Sequence, residues 1–184
     1  MKVLAFSGSL RTGSFNERLL AVAVKGLVAK GVEVDVWNFK AATIPIYDPD
    51  TSDANPPAAM VDFKARVRAA TGLLIASPEY NYSYPGALKN LLDFASRPPK
   101  ENPFKGRVSA QLGATPGPGG TLQGQAMLRH VLSGLGCHTL PGAVTVSRAE
   151  DAFDEQGGLK DEGQRKTLDG FLQRFVEELT LRSR

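Results

Sequence analysis

The sequence predicts an α/β protein whose mostly parallel sheet is wrapped by helices on both faces. Short apolar runs, among them residues 3–6 and 73–76, alternate with longer segments whose apolar residues recur at helical spacing. Glycines and prolines such as Gly31, Gly72 and Pro98-Pro99 punctuate the alternation. Three loops at 7–16, 77–83 and 113–120 leave the carboxyl ends of predicted strands carrying unusual chemistry, and in such sheets ligands sit beyond those ends.

The first strand is Val3-Leu4-Ala5-Phe6, and a helix over 15–30 follows with Leu20, Ala23, Val24 and Leu27 on one face. Ser14 with Glu17 three residues later has capping-box spacing, and Gly31 suits the far end. Residues 32–37 alternate apolar and polar, as on a sheet edge, and 38–57 reads as an irregular, proline-rich stretch. Met60, Phe63, Val67 and Ala70 mark a second helix over 58–70, which Gly72 breaks before a central strand at 73–76. A third helix has Pro85 near its start and faces Leu88, Leu91, Leu92 and Ala95 inward until Arg97-Pro98-Pro99 stops it. The fourth strand is 108–112. A helix buries Leu128, Val131, Leu132 and Leu135, and the fifth strand falls within 138–146. A polar loop runs through Gly158 to a last helix burying Leu168, Phe171, Leu172, Phe175 and Leu179. Five strands and five helices result, with no repeat or linker, so residues 1–184 read as a single domain.

Composition is that of an ordinary globular chain, 42% hydrophobic and 22% charged. The 22 basic residues against 19 acidic leave +3 without a cationic cluster, which argues against nucleic acid as a partner. A single cysteine, Cys137, rules out an internal disulfide and fits a reducing compartment. His130 and His138 lack metal-ligand spacing, so no metal is expected. No export signal opens the sequence, and no apolar run approaches the ~18 residues that span a bilayer. The expectation is a cytoplasmic protein without a membrane partner.

The loop Ser7-Gly8-Ser9-Leu10-Arg11-Thr12-Gly13-Ser14 sits where a strand becomes a helix, so backbone N–H groups and the positive helix end converge there. Ser7, Ser9, Thr12 and Ser14 add hydroxyls, Arg11 a guanidinium, and Gly8 and Gly13 let the main chain approach a ligand. A surface turn rich in turn formers is the competing reading of this loop. Gly8 and Gly13 have P-loop glycine spacing, but Ser14 and Phe15 replace the required Lys and Ser/Thr. No G-x-G-x-x-G follows the strand either, which leaves a mononucleotide phosphate as the ligand group.

Together, residues 7–16, the run Pro78-Glu79-Tyr80-Asn81-Tyr82-Ser83-Tyr84-Pro85-Gly86-Ala87-Leu88-Lys89-Asn90 and Asp93-Phe94-Ala95-Ser96-Arg97-Pro98 resemble the NADPH-dependent FMN reductase family over roughly 1–146. The resemblance implies a flavodoxin-like three-layer sandwich with five parallel strands in the order 2-1-3-4-5, and FMN as cofactor. It implies that Ser9, Arg11, Ser14, Phe15 and Asn16 hold the FMN phosphate, that Pro78, Glu79, Tyr80 and Asn81 border the isoalloxazine and ribityl chain, and that Thr115 and Gly117 form the third contact. Thr115 stands where the family commonly has Ser, and Phe94 where it often has Trp; beyond Val146 no family motif follows.

The implied activity is hydride transfer from NADPH or NADH through FMN to quinones, with chromate and azo dyes as further acceptors, in a homodimer or homotetramer. Because flavin N5 carries that chemistry, no catalytic side chain is expected. The alternative is a flavodoxin-like electron carrier that binds FMN and is reduced by a partner protein; the slightly basic balance favours the enzyme over such usually acidic carriers. Tyr80, Tyr82 and Tyr84 suit flavin stacking or a subunit seam, as Trp37, Tyr47 and the 45–57 loop suit an interface, while Glu79 is expected to matter through its backbone. Lys89, Asn90, Asp93 and Arg97 form an exposed helix face that the resemblance makes an oligomer contact.

Overall fold

Apolar runs pair side by side because their backbone groups need partners wherever helices on both faces exclude water. The computed structural model describes residues 1–52 and 55–183. In chain order the elements are β1 (Lys2–Ser7), α1 (Phe15–Ala29), β2 (Glu33–Trp37), α2 (Pro49–Ser52), α3 (Ala58–Ala69), β3 (Gly72–Ala76), α4 (Gly86–Ala95), β4 (Val108–Ala114), α5 (Leu122–Gly134), β5 (His138–Thr139), β6 (Val144–Val146) and α6 (Glu162–Arg182). Every strand pairing is parallel, in the order β2-β1-β3-β4-β5, with β6 also on β4. The expected fifth strand is thus two short ones on the same edge, separated by Leu140-Pro141-Gly142-Ala143, where proline has no N–H to donate.

Alternation along each strand divides the core. Val3, Ala5, Leu74, Ala76 and Leu112 pack with α1 and α6 on one face. Leu4, Phe6, Leu73 and Ile75 pack with α3, α4 and α5 on the other. The inward residues expected on α6, from Leu168 to Leu179, are all buried. Gly31 closes α1 at φ +78, with Val32 N–H reaching Leu27 O and Gly31 N–H reaching Val28 O.

Several expectations are corrected. Ser14 Oγ accepts from Asn16 N–H at 3.1 Å, one residue short of the capping-box partner Glu17. Gly72 opens β3 instead of ending a helix, since a Cβ there would lie 2.5 Å from Leu179 and 3.1 Å from Phe175, where α6 presses on the sheet. Strand β4 runs on to Ala114 because β6 pairs with its last residues. The stretch after β6 is not merely polar, for Ala149, Phe153 and Leu159 are buried. Trp37 is a core residue against Phe63 and Phe39, not an interface, and Tyr47 packs on Phe94. Asn90, expected on an exposed face, accepts from Tyr47 N–H and donates to Pro45 O, clipping the loop after β2 to α4. That loop also contains a 3-10 turn at Phe39–Ala41 and α2; its residues 53 and 54 lie outside the described residues.

Candidate functional site

Parallel pairing places the carboxyl ends of β1, β3 and β4 along one edge, and the loops leaving them are stitched together. Gly8 N–H donates to Ala76 O at 2.8 Å, Ser77 N–H to Leu112 O at 2.9 Å and Thr115 N–H to Val146 O at 2.9 Å. These bonds continue the ladder beyond the strands and hold the loops around a cleft of about 270 Å³. Its walls are Ser9, Arg11, Ser14, Phe15 and Asn16 at one end, Pro78, Glu79 and Tyr80 at the other, and Ala114, Thr115 and Pro116 between. Asn81 and Gly117 are absent from those walls; Ala114 and Pro116, not singled out from sequence, are part of them.

The end near α1 is built for an anion. Ser7, Ser9 and Ser14 are buried, and their hydroxyls accept from Ser9, Arg11 and Asn16 N–H. A hydroxyl that accepts in this way keeps its own O–H to donate. The first-turn amides of α1 have no intrahelical acceptor, so donors and the positive dipole end meet here. The Arg11 guanidinium lies 5.4 Å from the Phe15 ring centroid, where stacking limits its rotamers without neutralising it. Lys40 Nζ donates to Thr12 Oγ1 and brings a second cation to the loop, one that sequence reading missed inside the irregular stretch. Gly13 sits at φ +68, a backbone conformation that favours glycine.

Asn16 reaches across the sheet. Its Nδ2 donates to Ala114 O and its Oδ1 accepts from Ala114 N–H, both at 2.9 Å. The side chain clamps the main chain at the end of β4 to the first turn of α1.

At the other end, Glu79 Oε2 accepts from Gly124 N–H at 2.8 Å, in the first turn of α5. A carboxylate is favourable at a helix N-terminus, so the Glu79 side chain fastens the β3 exit loop to α5, where only its backbone was expected to matter. Tyr80 and Ser83 exchange two backbone hydrogen bonds around Asn81 (φ 51) and Tyr82 (φ 65), a type I′ turn. Asn tolerates that conformation, but for a tyrosine it is strained and is held by the surrounding loop. Tyr80 and Tyr82 are left 50% and 73% exposed, whereas Tyr84, expected to alternate with them, is in the core at 8%. Burial, with the Asp93 charge adding, pushes the Tyr84 hydroxyl up to about 12. Thr115 Oγ1 accepts from Gly117 N–H at 3.3 Å and shapes the third loop.

Other reactive groups stand elsewhere. Cys137 is buried, its thiol pushed up to about 12 chiefly by that burial, so it carries negligible thiolate at neutral pH. His130 and His138 are exposed. Among the described residues no group of three or more His, Cys, Asp and Glu side chains is gathered as metal ligands, and no helix is long and apolar enough to cross a membrane. What the cleft offers is anion binding, an aromatic rim and backbone-lined walls.

Comparison with known proteins places this geometry. The profile of the NADPH-dependent FMN reductase family matches residues 1–151. An NAD(P)H-dependent FMN reductase of Pseudomonas aeruginosa is 44% identical over 174 residues, covering 94% of this chain and 92% of that protein. A 2-hydroxy-1,4-benzoquinone reductase of a Burkholderia species is 34% identical, covering 96% and 94%. Among solved structures, the flavoenzyme NAD(P)H:acceptor oxidoreductase FerB of Paracoccus denitrificans superposes with a TM-score of 0.88 at 33% identity over 98% of each chain. An archaeal flavodoxin superposes at 0.64 with 12% identity, a likeness of fold.

Proposed function

The chain belongs to the NADPH-dependent FMN reductase family, and from that premise we propose that the cleft between the three exit loops of residues 1–184, acting as one domain, is where FMN is held. Its phosphate lies at the Ser9, Arg11, Ser14, Phe15 and Asn16 end, and its ring and ribityl chain lie against Pro78, Glu79, Tyr80, Asn81, Thr115 and Gly117. The carrying observation is that all of these except Asn81 and Gly117 wall the same cleft.

The protein is an NAD(P)H-dependent oxidoreductase. FMN, once bound, supplies the two-electron chemistry between NAD(P)H and the acceptor. The chain's own residues bind and orient. Hydroxyls and Arg11 fix the phosphate, the backbone of the 78–80 and 114–116 segments lines the ring, and exposed Tyr80 and Tyr82 leave an aromatic rim where a flat acceptor can lie. Quinones are the proposed acceptors, with chromate and azo dyes assayed beside them. A homodimer or homotetramer is proposed as well, with Tyr82 and the Lys89–Asp93 surface of α4 at subunit contacts. Cytoplasmic residence accords with a lone thiol that calls for no disulfide.

Anaerobic mixing of FMN-loaded protein with NADPH, and separately with NADH, tests the reading. Bleaching of the flavin band followed by reoxidation with quinone is expected; persistent yellow colour would leave the electron-carrier alternative. Arg11→Ala is expected to weaken FMN binding by about 1.5 kcal/mol, roughly tenfold, the low end for a charged hydrogen bond because Arg11 is exposed. A flavin-fluorescence titration reads it, and an unchanged affinity removes Arg11 from the phosphate site.

A further inference from the structure

A second and larger cavity, about 490 Å³, lies between α1 and the end of β2. Leu20, Ala21 and Val24 of α1 form one side, and Val36, Trp37 and Phe39 the other. The charged groups that line it are Lys25, Lys40 and Glu17. Ser9 lines this cavity and the cleft described above, so the two adjoin at the anion-binding loop.

We propose that this groove takes the phosphorylated adenosine half of NADPH, and that Lys25 and Lys40 favour NADPH over NADH. The inference rests on the reading of the neighbouring cleft as the flavin site. An apolar wall suits a purine, and two ammonium groups against one carboxylate suit a phosphate. Glu17 and Lys25 are eight residues apart on one helix, about 12 Å of groove, which matches the span of a nucleotide.

The end of β2 adds a chemical argument. Doubly wound sheets that bind NAD place a carboxylate there for the ribose hydroxyls, and those that bind NADP place a cation there for the 2′-phosphate. Here β2 runs out through Trp37-Asn38-Phe39-Lys40, with a lysine and no acid. Lys40 spends one donor on Thr12 Oγ1, and an ammonium has three. A neutral quinone in this groove would make no use of either lysine.

Adenosine 2′,5′-bisphosphate added to FMN-loaded protein is the direct probe. It is expected to shift the amide resonances of Ala21, Val24 and Val36, to bind more tightly than 5′-AMP, and to leave FMN in place. Lys25→Glu and Lys40→Gln are each expected to weaken it about tenfold and to lower the NADPH-to-NADH ratio of kcat/KM by a similar factor. Lys25 is exposed on α1, so its variant keeps the test open should Lys40→Gln disturb the Thr12 loop. Equal affinity for the two adenosine phosphates, displacement of FMN by the probe, or an unaltered NADPH-to-NADH ratio in both variants overturns the proposal. The shifts of Ala21, Val24 and Val36 read the groove itself even on protein without flavin. Failure to take up FMN therefore counts against the cleft reading, and failure to bind the probe against this one.

Discussion

Gly113→Ala is expected to lower the thermal midpoint by roughly 2–12 °C and to weaken FMN binding by at least about tenfold. A Cβ at this position would collide with Thr121 Oγ1 and stand 2.5 Å from Ser77 O and 2.9 Å from Thr121 Cβ. None of these is the free end of a flexible side chain. Ser77 O belongs to the main chain of the β3 exit, and Thr121 is fully buried, with its hydroxyl accepting from Gln125 Nε2. Relief requires the 77–83 loop or the start of α5 to move. Overpacking of this sort costs about 1–3 kcal/mol, and each kcal/mol is worth about 2–4 °C in a chain of this size. Because the displaced loop carries Pro78, Glu79 and Tyr80, stability and cleft geometry fail together. Gly170→Ala on α6, with nothing within 4 Å of its Cβ, is the control, expected to be neutral or stabilising by up to about 1 kcal/mol. Calorimetry of both variants separates them; equal midpoints would mean that the three loops are not packed as tightly as Gly113 implies.

The residues that make Gly113 indispensable mark the boundary of what sequence reading reaches. Local periodicity foretold β1, β3, both core faces and the buried stripe of α6, since alternation and helical spacing are written within a few residues. The concentration of hydroxyls, glycines and Arg11 marked the anion end of the cleft for the same reason. Contacts that cross the fold leave no such trace. The Glu79 bond to Gly124 spans 45 residues and the Asn16 clamp on Ala114 spans 98, so neither partner announces the other. Lys40 sat in a stretch without periodicity, and its only sequence signal was its place just after the edge strand. Tyr84 was grouped with Tyr80 and Tyr82 because the three recur at every second residue; the positive φ of Asn81 and Tyr82 turns the chain ahead of Tyr84, which enters the core.

The Asn16 clamp carries the other large expected effect. In Asn16→Ala the Ala114 N–H and C=O both lose their partner at a buried position. Each buried orphan costs about 1–3 kcal/mol, so a loss of about 2–6 kcal/mol and roughly 4–24 °C is expected. Asn16→Asp is the informative companion. An ionised carboxylate still accepts from Ala114 N–H, but it faces Ala114 O without a donor and is buried. Both effects disfavour the charged form by more than the positive end of α1, worth about 0.3–1 kcal/mol, favours it, so the folded pKa of this aspartate lies above its unfolded value. A raised folded pKa means that the folded state binds more protons than the unfolded one, and stability relative to the native chain rises as pH falls through that range. Protonation restores an O–H that can donate to Ala114 O. Asn16→Asp should therefore melt well below the native chain at pH 8 and recover part of the difference toward pH 5, with FMN affinity following the same trend; Asn16→Ala should show no such recovery. A direct phosphate contact by Asn16 predicts otherwise, because FMN affinity would then fall in both variants without tracking their stability. Melting and flavin titration across that pH range decide whether Asn16 acts on the ligand itself or, as its bonds indicate, by holding the β4 exit against the first turn of α1.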